Sequence, residues 1–100
     1  MNLLKETRMR IKQSGHKISD IVHIGNQEYK CSWEQFKKMA DQDYDSGFGG
    51  SEVALDLKIV FSDGLMMRRE QWDGSEWWAY DTLDLSKDFK PVKTIWGYNL

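Results

Sequence analysis

The chain has 100 residues, a net charge of −2, 40% hydrophobic residues and one cysteine. That length and apolar content suit one folded domain spanning residues 1–100 rather than a disordered chain, and the lone Cys31 excludes an internal disulfide. No apolar run approaches the roughly 20 residues of a membrane-spanning helix, and MNLLKETRMR lacks the apolar stretch of a secretory signal, so a cytoplasmic location is expected.

Residues 2–14 read as a short helix. Leu4, Arg8 and Ile11 share one face, and Gly15 is a natural C-terminal stop. Ile18 to Ile24 reads as a strand, Gly25-Asn26 as a turn and Glu28 to Cys31 as the returning strand. Ser32 and Gln35 stand at capping-box spacing, opening a helix over residues 33–41. Trp33, Phe36, Lys37 and Ala40 lie on one face of it.

The stretch 54–61 alternates Leu55, Leu57, Ile59 and Phe61 with Asp56, Lys58 and Val60. Period two with one apolar face predicts a half-buried strand of an antiparallel sheet. Ser62-Asp63-Gly64 reads as a three-residue loop with Gly64 left-handed, because that register puts Leu65 and Met67 on the face of Phe61 and Ile59. A two-residue loop would set Arg68 and Glu70 there instead, and burying those charges unpaired costs several kcal/mol, roughly. Strands 65–72 and 75–81 follow, joined at Asp73-Gly74. A two-residue turn sends Trp78 and Tyr80 to the core and leaves Trp72, Trp77 and Ala79 on the other face. A three-residue turn exchanges Trp77 and Trp78. Pro91 starts a new stretch, in which Val92 to Tyr98 can add an edge strand. The expected architecture is α+β: an antiparallel meander packed against one or two helices.

Charge is segregated along the chain. Residues 1–17 balance at +4, residues 41–56 at −5 and residues 73–89 at −4. Such runs are ordinarily solvated surface, but they can steer a charged partner.

DQDYDSGFGGSE, residues 41–52, places Asp41, Asp43, Asp45 and Glu52 at positions 1, 3, 5 and 12 of a calcium-loop window. Ser46 stands where that loop needs glycine, with Gly47 one place late, and Glu52 runs into a strand instead of a helix. The reading preferred is therefore an acidic loop with glycine hinges at Gly47, Gly49 and Gly50, and no metal or cofactor is assigned. The same carboxylates disfavour phosphate in the glycine loop, and GxGxxG fails because position 52 is glutamate.

No catalytic residue is assigned. His16 and His23 lack metal-ligand spacing, Cys31 has no partner thiol, and no nucleophile-elbow motif occurs. The expectation is a protein that is not an enzyme. Tryptophan with arginine is typical of binding hot spots, so Arg68, Trp72 and Trp77 are candidate contacts, with Asp41, Asp43, Asp45, Phe48 and Glu52 as the acidic counterpart. Arg68, Arg69 and the tryptophans could also stack single-stranded nucleic acid. Glu70, Asp73 and Glu76 beside them would repel phosphates, which disfavours direct nucleic-acid binding.

Trp33 and Phe36, Tyr44 to Gly50 (YDSGFGG) and Asp73 to Trp78 (DGSEWW) together resemble a group of small phage and prophage proteins. Their shared features are a Trp-x-x-Phe helix, a Tyr-Asp-x-Gly-Phe-Gly-Gly loop and an Asp-Gly-Ser-Glu-Trp-Trp hairpin. The resemblance covers residues 29–81, about half the chain, and carries no activity with it. It implies a phage origin and a small accessory role in the host cytoplasm. Inhibitors of host defence, anti-CRISPR proteins among them, are a leading class of such proteins. The partner it implies is a host protein or ribonucleoprotein complex, a defence nuclease, blocked by contact or by occlusion of its nucleic-acid site.

Overall fold

The computed structural model describes residues 1–45, 52–82 and 89–100. Helix α1 spans Leu3–Gln13. The Asn2 side chain accepts from the Lys5 N–H at its start, and Gly15, at φ +82°, lets the chain leave it. Its buried face is Leu3, Leu4, Thr7 and Ile11 with Glu6, while Arg8, expected on that face, is exposed. The apolar stripe has too few residues to choose between the two flanks, and the Thr7 hydroxyl decides it. That hydroxyl donates to the Leu3 carbonyl at 2.7 Å and accepts from the Trp78 indole at 3.0 Å, so it is satisfied when buried.

The expected strand from Ile18 begins later. Ile18–Asp20 is a 3₁₀ turn because the Asp20 carboxylate accepts the Lys17 N–H at 2.8 Å. Strand β1 is Ile21–Gly25, and β2 is Tyr29–Lys30. Helix α2, Trp33–Ala40, carries the expected capping box, with both reciprocal Ser32–Gln35 bonds present at 3.1 and 2.9 Å.

Strand β3 is Lys58–Phe61, shorter than the 54–61 predicted. Residues 54–57 turn instead, with the Leu57 N–H on the Ala54 carbonyl. Asp56 draws the chain out of register: its carboxylate accepts from Asn26 Nδ2 and from the Leu100 N–H, both at 2.8 Å. Strand β4, Leu65–Trp72, pairs with β3 so that Met67 faces Ile59, which confirms the three-residue loop and its left-handed Gly64 at φ +89°. Strand β5, Ser75–Thr82, closes on β4 through a two-residue turn with Asp73 at φ +51° and Gly74 at φ +84°. Trp78 therefore faces the core and Trp77 faces out. Strand β6, Lys90–Pro91, lies parallel to β2. The expected strand over 92–98 is reduced to one bridge, Val53 to Trp96.

The fold is α+β, with sheet order β5-β4-β3-β1-β2-β6 and every pairing antiparallel except β2–β6. Both helices contribute to one core with Ile24, Leu57, Ile59, Phe61, Met67 and Trp78. The β5 edge is guarded by α1. Arg10 donates to the Trp78 carbonyl at 2.9 Å, and the Tyr80 hydroxyl donates to the Arg10 carbonyl at 2.8 Å. No helix is long and apolar enough to cross a membrane, among the described residues.

Candidate functional site

The outer face of β4 and β5 is built by register. Trp72 is paired with Ser75, Glu70 with Trp77, Arg68 with Ala79 and Met66 with Asp81, all turned away from the helices. Trp72 is 77% exposed and Trp77 38%. The Arg68 guanidinium stands at 2.7 Å from Glu70 and 3.5 Å from Asp81, an arrangement that holds it flat on the face. The rest of this face is closed. Val60, Met66 and His23 are buried, and the Phe89 ring lies 4.1 Å from the His23 ring. The free part is thus the hairpin end, where Arg68, Trp72 and Trp77 lie on one face.

The acidic residues divide. Asp43, Asp45 and Glu52 line a cleft of about 660 Å³ with Gln42, Tyr44, Trp96 and Gly97. Asp41 is turned away toward α1, where its carboxylate accepts from Asn2 Nδ2 at 3.1 Å. The segment is pinned by pairing with the chain start: Asn2 bridges Asp43, and the Tyr44 N–H bonds the Met1 carbonyl. Glu52 spends a carboxylate oxygen on the Asp45 N–H at 2.9 Å. Calcium needs these oxygens to converge. Among the described residues no three His, Cys, Asp or Glu side chains gather as a metal site. Phe48 lies outside the described residues.

Beneath the cleft is a polar network that the sequence reading missed. Arg69, grouped with Arg68 as a surface cation, has a fully buried side chain. Its Nη2 donates to Glu76 at 3.0 Å and to the Tyr44 hydroxyl at 3.1 Å, and its Nη1 lies 3.7 Å from Glu6. Tyr44 donates in turn to Glu6 at 2.5 Å. Burial, then the bond to Glu6, pushes the Tyr44 phenol above its ordinary range. The guanidinium also stacks over Trp78, 4.9 Å from its centroid. Glu76 completes the set by accepting the backbone N–H groups of Glu52 and Val53 at 2.8 and 3.1 Å. One buried arginine therefore secures both sides of the cleft, Tyr44 directly and residues 52–53 through Glu76. The signal was present in the register: Arg69 and Glu76 share the face of Met67 and Trp78 once the two-residue turn is chosen.

Both histidines and the cysteine are packed against other groups of the fold. His16 stacks on Phe61 at 4.3 Å and bridges Asp20 and Asp63 at 3.3 and 3.1 Å. His23 Nε2 faces the Asn26 carbonyl at 3.0 Å, and burial holds its imidazole below the ordinary range. Cys31 is buried, and its thiol is pushed up to about 11 by desolvation.

The chain matches no family model, and no curated protein or solved structure matches it either.

Proposed function

We propose that this chain is a binding protein that acts by contact and occlusion rather than by chemistry, and that Trp72, Trp77 and Arg68 form its principal contact. The observation that carries this reading is Trp72, 77% exposed beside Trp77 on a hairpin of two eight-residue strands. Large aromatics with arginine supply much of the free energy of interfaces, and rigid presentation lowers the ordering cost. Two exposed tryptophans on one sheet face form an apolar patch of the kind that marks a contact surface.

The partner class is a host defence nuclease complex, in keeping with the phage-protein resemblance of residues 29–81. The acids Asp43, Asp45 and Glu52 extend the contact toward a basic groove and stand in for phosphates there. Nucleic acid as the direct partner loses support, because Arg69 is buried and Arg68 is paired with Glu70 and Asp81. The test is a cleavage assay with purified RNA-guided nucleases and increasing amounts of the chain. Saturable inhibition, weakened at least about tenfold in Trp72→Ala/Trp77→Ala, is the expected result. Inhibition of equal strength in that variant, or full cleavage at every concentration across such nucleases, removes the proposal.

A further inference from the structure

The helix layer carries a second surface, on the side of the sheet opposite Trp72 and Trp77. Between α1 and α2 lies a groove of about 580 Å³ lined by Leu4, Arg8, Lys37, Lys38 and Asp41. Three of its five lining side chains are cationic. Lys5 and Lys12, at i−3 and i+4 from Arg8, are exposed and extend the positive edge along α1. Lys37 is shared with Glu34 at 2.9 Å. Among the described residues the side chains of Arg8 and Lys38 have no ion-pair partner. Asp41 also lines the groove and offsets part of this charge, with its carboxylate accepting from Asn2 Nδ2 at 3.1 Å. Unpaired cations gathered on both walls of a groove raise the local concentration of anions.

We propose that this groove binds an acidic peptide segment of another protein. Leu4 also lines the groove but is only 9% exposed, so carboxylates of the segment make the main contact. Among the described residues no aromatic side chain lines the groove to stack a base, which disfavours single-stranded nucleic acid. A second copy of the chain, which itself carries acidic segments, is the alternative occupant that the test below separates. The surface is independent of the tryptophan face, so both can be occupied together.

The test uses the whole chain and a short fluorescein-labelled peptide rich in glutamate and leucine, followed by anisotropy. Saturable binding is expected, weakening about tenfold as salt rises from low to physiological strength. Arg8→Glu/Lys38→Glu, both exposed positions, is expected to weaken it at least about tenfold, Arg8→Lys to retain it, and Trp72→Ala/Trp77→Ala to leave it unchanged. That last control separates this proposal from the hairpin contact. Three results overturn it: no binding or equal binding by the charge-reversed variant, tighter binding of a labelled DNA or RNA oligonucleotide, or a concentration-dependent dimer that the charge reversal dissolves.

Discussion

Trp77 and Trp78 are consecutive on β5 and face opposite sides of the sheet, 38% and 0% exposed. The turn sets this. Asp73 and Gly74, both at positive φ, close the hairpin in two residues and pair Arg69 with Trp78. Trp78→Ala is expected to cost about 3–5 kcal/mol, through lost burial and the cavity left behind. Trp77→Ala is expected to stay within about 1 kcal/mol. Urea unfolding of the two variants measures the difference, and equal losses would refute the assigned faces.

Arg69 is the second position with a large expected effect. Arg69→Met leaves Glu6 and Glu76 buried without their cation, at a cost of about 3–5 kcal/mol. Arg68→Met, at a half-exposed pair, is expected to cost less than about 1 kcal/mol. Because Glu76 also holds the N–H groups of residues 52 and 53, Arg69→Met should speed amide exchange there before global unfolding. Unchanged exchange at 52 and 53 would show that the network does not anchor the cleft.

Most of the meander and the second helix are legible in the sequence because their signals are local. Ser32 with Gln35 opens α2, and Gly64 and Asp73-Gly74 each demand a particular turn. Once the turns are set, period two assigns the faces of β4 and β5, although Tyr80, expected in the core, is 37% exposed with its hydroxyl on the Arg10 carbonyl. What is not legible depends on distant partners. Asp56 breaks the predicted strand only because Asn26 and Leu100 reach it. Arg69 is buried only because Glu6, from α1, arrives above the sheet. Arg8 and Thr7 exchange places on α1 because the Trp78 indole needs an acceptor. The candidate contacts are legible where the register settles them, at Arg68, Trp72 and Trp77. They are not legible at Asp41, whose direction is set by Asn2.

Stability should fall with acid partly through His23. Burial lowers the pKa of its imidazole from the ordinary 6.5. Below that value the unfolded chain takes up a proton that the folded chain refuses. The contribution is therefore complete above about pH 6.5 and declines as pH falls through the window between the two pKa values. His23→Gln keeps much of the size and removes the titration. The gap in unfolding free energy between wild type and this variant is expected to narrow between about pH 7.5 and pH 5. A gap that stays constant or widens would contradict the burial argument.

Gly25 has no room for a side chain. A Cβ there would lie 1.9 Å from the Tyr29 carbonyl oxygen, and the backbone sits at φ +153°. Gly25→Ala must push β1 and β2 apart where Gly25 pairs with Lys30. A loss of about 1–3 kcal/mol is expected, against less than about 1 kcal/mol for Gln27→Ala at the exposed turn. Thermal unfolding compares the two directly, and equal midpoints would mean that the hairpin tolerates a wider path.

Calcium is the remaining question set by the acidic segment. A loop that bound the ion with Kd a hundredfold below the added concentration would stabilise the fold by about 2.7 kcal/mol, which raises the melting temperature by roughly 10–20 °C in a chain of this size. The carboxylates in place argue against that gain. Asp41 is turned to Asn2, Glu52 is spent on the Asp45 N–H, and the backbone at Asp43 is held by the bridge to residue 2. Drawing them together means breaking those contacts. Calcium at about 1 mM is therefore expected to move the melting temperature by no more than about 1 °C. A larger rise, abolished by Glu52→Gln and by Asp43→Asn but not by Asp63→Asn, would show that the segment rearranges around the ion.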